Sequence, residues 1–177
     1  YAKAIEQDKV VSLTYEDRYL KSPWTVVLLA NILKAVKPTS ETSVSVVTMP
    51  GDGRFESRMV KHDWQDAQTH QVVSGAFLRA TLKVGQVDFR VHNDKRELTH
   101  RRVLSVGLAS GKTIKLAFDQ GMGYWDMKSF RPDLKWFDFE LGYEAQVHRM
   151  LDLEKDGRLV NSGGWATDIA IYEDSGT

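Results

Sequence analysis

The sequence contains no cysteine, only 4 prolines in 177 residues, and no excess of charge, with 24 lysines and arginines against 24 aspartates and glutamates. Without cysteine there is no disulfide framework, no thiolate zinc site and no cysteine nucleophile, and a reducing, cytoplasmic setting is expected. Balanced charge excludes a global field that would hold the chain to DNA or an acidic membrane, so any such binding must be local. No apolar run approaches the roughly 18 residues that span a bilayer, and Tyr1 to Val10 lacks the features of a signal peptide. What is present is 42% hydrophobic residues, enough for one substantial core, so residues 1–177 are expected to form a single domain. A start at Tyr1 and a polar, acidic end over Tyr172 to Thr177 suggest a fragment of a larger protein.

Val10 to Tyr15 is β-rich and leads into Glu16, Asp17 and Arg18, which suggests a strand delivering polar side chains at its carboxyl end. Ser22 can then cap a helix with Pro23 in its first position. Val26, Leu29, Ala30, Leu33 and Val36 keep helical spacing until Pro38, and Val27, Leu28 and Ile32 make the other side apolar too. A second strand, Val44 to Met49, is almost wholly apolar, as expected of a strand covered on both faces. Lys61 to Val84 has helical period, closed by Gly85, and Val87 to Val91 is a third strand. This strand-helix alternation favours a parallel first half.

The second half has a different pattern. Arg101 to Leu108 and Thr113 to Phe118 are strands joined by a hairpin through Ala109 to Lys112, with further strands expected at Trp136 to Leu141, Val147 to Leu153 and Ile169 to Tyr172. Turns are expected at Asp156 and Gly157 and over Ser162 to Gly164. The fold class is therefore α/β: a mixed sheet flanked by helices, with a parallel first half and an antiparallel hairpin second half.

Between Val87 and Asp138 the chain carries Thr99-His100-Arg101-Arg102-Val103-Leu104, then Ser110-Gly111-Lys112, then Gln120-Gly121-Met122-Gly123-Tyr124-Trp125. With Tyr15-Glu16-Asp17-Arg18-Tyr19 after the first strand, this ordered set resembles the phospholipase D-like C-terminal domain of MIT-domain proteins, over roughly residues 10 to 140. His100, Arg102, Gly111 and Gly121 match in kind and order. Arg101, Gly123 and Gly142 stand where the family has an aspartate, a second aspartate and an arginine, so the resemblance implies a degenerate active site of bacterial type. It implies a non-catalytic phospholipase D-like module for a phosphate-bearing ligand or a partner within a larger assembly; family members of this kind attach to phosphoinositide membranes, whereas the bacterial character of the sequence favours a nucleic-acid-handling host such as a defence helicase.

Catalysis of the phospholipase D kind needs two His-x-Lys-x4-Asp motifs, one histidine attacking phosphorus and the other protonating the leaving oxygen. Here His100 and Arg102 form one approximation, with Gly107 in the aspartate's place, and no second copy occurs. The alternative function is thus a phosphodiesterase or nuclease using His100, possibly as a dimer.

The binding alternative rests on a basic segment. His92, Lys95, Arg96, His100, Arg101 and Arg102 fall close together, and guanidinium forks suit the phosphates of nucleic acid or an anionic lipid headgroup. Asp17 and Arg18, at the carboxyl end of the first strand, complete the candidate set, since open α/β sheets put their sites there. The bland alternatives are a solvated loop for the basic segment and an ion pair holding the next helix for Asp17 and Arg18.

His62, Asp66 and His70 form a line on the long helix that could hold zinc, but a solvated helix face explains them more simply, so neither metal nor cofactor is expected. The five tryptophans are expected mainly as core anchors.

Overall fold

A computed structural model describes residues 2–51, 63–92, 98, 102–120, 122, 125–128, 137–161 and 167–174. Helix α1 (Ala2–Gln7) precedes β1 (Val10–Glu16), α2 (Pro23–Ala35), β2 (Ser43–Thr48), α3 (Ala67–Leu82) and β3 (Val87–Val91). There follow β4 (Val103–Leu108), β5 (Thr113–Phe118), β6 (Trp125–Lys128), α4 (Tyr143–Asp156), β7 (Arg158–Asn161) and β8 (Ile169–Asp174).

Six strands form one mixed sheet in the order β3-β2-β1-β4-β5-β8. The steps β1 to β2 and β2 to β3 are parallel, whereas β1 to β4, β4 to β5 and β5 to β8 are antiparallel. The expected division into a parallel first half and an antiparallel second half therefore holds. Strands β6 and β7 pair separately.

Because β1, β2 and β3 advance in one direction across the sheet, two crossovers of the same hand place α2 and α3 on the same face. The burial pattern agrees. Leu13, Tyr15, Val46, Phe89, Leu104, Val106 and Ile114 alternate inward and join the buried faces of α2, α3 and α4 in one apolar cluster. Each such side chain contributes about 1.5–3 kcal/mol on removal from water. Between them, Thr14, Ser45, Val47, Ser105 and Lys115 lie on the opposite face and are half-buried. The expectation that β2 is covered on both faces is corrected accordingly, since its residues alternate between buried and partly exposed.

Helix α2 starts as its sequence directs. Ser22 accepts from the Thr25 backbone amide, the Thr25 hydroxyl accepts from the Ser22 amide, and Pro23 opens the first turn. Helix α3 begins at Ala67, with Asp66 as its cap, and ends on Lys83 in the left-handed region at φ 56° instead of at Gly85. Residues 61 and 62, expected within this helix, lie outside the described residues.

Two expected strands are corrected. Val147 to Leu153 belongs to α4, because the buried residues Gln146, Met150 and Leu153 recur at helical spacing around a single narrow stripe. Phe137 to Leu141 is irregular backbone whose Phe137 ring enters the core against Trp24 and Trp64. Three elements were not expected at all: α1, β6 and β7. No helix among the described residues is long and apolar enough to cross a membrane.

Candidate functional site

The carboxyl ends of β1, β2 and β3 and the start of β4 share one edge of the sheet. There Asp17 follows β1 directly, its amide donating to the Val47 carbonyl of β2 at 3.1 Å. Its side chain is fully enclosed, at 0% exposure. Oδ2 accepts from the Tyr15 hydroxyl at 3.0 Å, Oδ1 accepts from the Tyr19 amide at 2.8 Å, and the Met122 amide is a further donor. Burial raises the carboxyl above its ordinary range, against the opposing pull of these donors and of the Arg102 charge. Burial, with the adjacent carboxylate, also pushes the Tyr15 phenol well up, so it stays a protonated donor.

Arg102 lies just before β4. Its Nη1 donates to the Asp119 carbonyl at 2.5 Å, its guanidinium stands 5.1 Å from the centre of the Tyr19 ring, and its Nε is 3.8 Å from Asp17 Oδ1. That last separation is within ion-pair range but too long for a hydrogen bond, so Arg102 Nε and Asp17 attract through charge alone and Nε has no hydrogen-bond acceptor among the described residues. Lys21 approaches the same ring, its Nζ 5.8 Å from the centroid.

Arg18 points toward the basic segment. Its Nε donates to the Leu98 carbonyl at 2.7 Å, and Nη2 reaches the same oxygen. Leu98 itself is buried. At the start of that segment, the His92 amide donates to the Thr48 carbonyl at 2.8 Å. The stretch from His92 to Arg102 is thus fastened to the sheet edge at three described points: His92, Leu98 and Arg102.

Of the residues singled out from sequence, Asp17, Arg18 and Arg102 come together, and His92 sits at the end of β3 on the same edge. Lys95, Arg96, His100 and Arg101 lie outside the described residues. The sequence brings in Tyr15 and Tyr19 only as flanks of the Glu16-Asp17-Arg18 group and does not single out Lys21, so none of the three is among the expected site residues. The signal was available for Tyr15, which precedes the buried carboxylate by two residues on a strand end, but its partners from the second half were not visible locally.

The line of His62, Asp66 and His70 is described at two of its three positions. His62 is outside the described residues, while Asp66 accepts from the Thr69 amide at 2.6 Å as a helix cap. His70 is not on a solvated face: it is fully buried, stacked on Trp64 with ring centroids 4.5 Å apart.

The mixed sheet thus gathers basic groups around one sealed carboxylate at its edge. Residues 1–173 match the family model described as the C-terminal domain of the DEAD/DEAH box helicase YjiV, and the chain belongs to that family. No curated protein matches it.

The family match overturns the kinship with the phospholipase D-like domain of MIT-domain proteins, and with it the degenerate phospholipase active site. The physical reason lies in what the matching patches do. Gly111 is required by its φ of 86° in the β4–β5 hairpin, and Arg102 and Asp17 join strand ends. Such turn glycines and strand-end charges recur in many α/β sheets without common descent.

Proposed function

We propose that this domain is a non-catalytic interaction module of a larger helicase, and that it holds nucleic acid through the basic segment His92 to Arg102. The observation that carries the proposal is the fastening of that segment to the carboxyl edge of the sheet at His92, Leu98 and Arg102. Arg18 and Arg102 are committed to protein oxygens, and so serve to position the segment. The phosphate contacts then fall to Lys95, Arg96, His100 and Arg101, with His92 beside them. The family membership supports nucleic acid over an anionic lipid headgroup as the ligand, because a helicase acts along a strand that such a module can help retain. Other domains of the same protein are the expected partners.

A non-catalytic role is supported by the state of Asp17. Its oxygens already accept from Tyr15, Tyr19 and Met122, and its burial keeps Asp17 itself from taking a proton from a nucleophile.

The test is fluorescence anisotropy with labelled single- and double-stranded oligonucleotides, alongside cosedimentation with phosphoinositide vesicles. Oligonucleotide binding that weakens severalfold in Lys95→Ala and Arg96→Ala is expected. Binding to vesicles alone, or to neither probe, rejects the proposal. Cleavage of a diester that disappears in His100→Ala would replace it with the phosphodiesterase alternative.

A further inference from the structure

A groove of about 390 Å³ runs between α3 and the edge strand β3, lined on the helix by Val72, Gly75, Ala76 and Arg79 and on the strand by Val87 and Phe89. Its size falls within the range of pockets that take small ligands or peptide side chains. β3 is the last strand on its side of the sheet. The amide of His92 points back to β2, bonding the Thr48 carbonyl, so alternation turns the backbone groups of Val87, Phe89 and Val91 outward. The outward amide of Val91 is met by the Gln71 side chain at 3.4 Å. Those of Val87 and Phe89 meet no partner among the described residues. An edge of this kind is a template for another strand.

Two features of the groove are out of keeping with a passive edge. Gly75 sits in the middle of a 16-residue helix, where glycine costs about 1 kcal/mol relative to alanine. Its backbone does not need the freedom, and a Cβ there would stand 3.5 Å from Cβ of Phe89, in ordinary contact. What glycine does provide is depth in the groove. The second feature is charge. Asp88 is neutralised by Arg90 at 3.1 Å, whereas Arg79 is exposed and has no acidic partner among the described residues.

We propose that this groove binds an extended peptide, which adds to β3 as a seventh strand, places small apolar side chains over Gly75 and Ala76, and sets an acidic residue against Arg79. The alternation of a strand delivers every second side chain to the helix side, and hydrogen bonds to Phe89 and Val87 supply affinity independent of sequence. The site is separate from the basic segment, and neither proposal requires the other.

A library of random eight-residue peptides displayed on phage, selected on the immobilised domain, tests this. Selected peptides are expected to alternate apolar residues and to be enriched in aspartate or glutamate. The best of them, made synthetically, is expected to slow hydrogen exchange at the Phe89 amide at least tenfold. Gly75→Leu, which fills the groove, and Arg79→Glu, which reverses its charge on an exposed site, are each expected to weaken binding at least tenfold while leaving the unfolding midpoint no lower. No enrichment, peptides without acidic preference, or binding unaffected by both substitutions would overturn the proposal. So would a dimer in sedimentation that is lost in Gly75→Leu, which would assign the edge to a second copy of the chain.

Discussion

Arg102 holds its Nε 3.8 Å from Oδ1 of Asp17, and this pairing joins the end of β1 to the start of β4. The Asp17 side chain is enclosed while the Arg102 side chain keeps 19% exposure, so the anion bears most of the desolvation. Tyr15, Tyr19 and Met122 supply the donors that make its burial tolerable.

Asp17→Ala is therefore expected to destabilise the domain by about 3 kcal/mol at pH 7, because it leaves Arg102 without its counter-charge and the donors of Tyr15, Tyr19 and Met122 without their acceptor. Urea unfolding checks the value. Asp17→Asn, which retains one acceptor oxygen, is expected to lose less. A loss below that of an ordinary surface substitution in both variants would show that the cluster does not hold the edge.

His70 offers a prediction of opposite sign. Both its ring nitrogens lack partners among the described residues in a fully buried site, and burial lowers its pKa to about 3. Below pH 6.5 the unfolded chain takes up a proton that the native state refuses, so stability falls with pH by about 1.4 kcal/mol per unit down to about pH 3. His70→Phe, which keeps a ring against Trp64 and Phe89, is expected to raise stability by about 1 kcal/mol at pH 7. At pH 5 the advantage is expected to be larger by about 2 kcal/mol. An advantage that does not change between the two pH values would contradict the assigned burial.

Gln146 ties α4 to the segment before it. Its Nε2 donates to the carbonyls of Phe139 and Leu141 at 3.1 and 2.7 Å, and its Oε1 accepts from the Trp64 indole at 3.2 Å. Replacing it with leucine leaves the buried Trp64 indole and two part-buried carbonyls without this partner, for an expected loss of about 2 kcal/mol. A change in Trp64 emission is expected to accompany the loss, and fluorescence-monitored unfolding measures both.

The parallel half of the fold was legible because its signals are local. Val10 to Tyr15 alternates, Ser22 and Pro23 mark a helix start, and Val87 to Val91 alternates apolar Val, Phe and Val with Asp and Arg; each is also what the strand or helix needs for packing. Helix α4 was mistaken for a strand because its inward stripe includes the polar Gln146, which hides the helical period. Asp17, Arg18, His92 and Arg102 could be picked as polar residues near strand ends. That Asp17 faces Arg102, and Arg18 the Leu98 carbonyl, depends on β1 pairing with β4, which no local pattern encodes. The resemblance to another family failed for the same reason, since short patches around strand ends and turns carry little information about descent.

The salt dependence of oligonucleotide binding tests the central proposal most directly. A basic segment making three or four phosphate contacts to a single strand gives a slope of log K against log salt of about −2 to −3. The slope is expected to shrink by roughly one contact's worth, about 0.7, in each of Lys95→Ala and Arg96→Ala. A flat slope, or one unchanged by either substitution, would contradict the assignment of nucleic acid to the segment between β3 and β4.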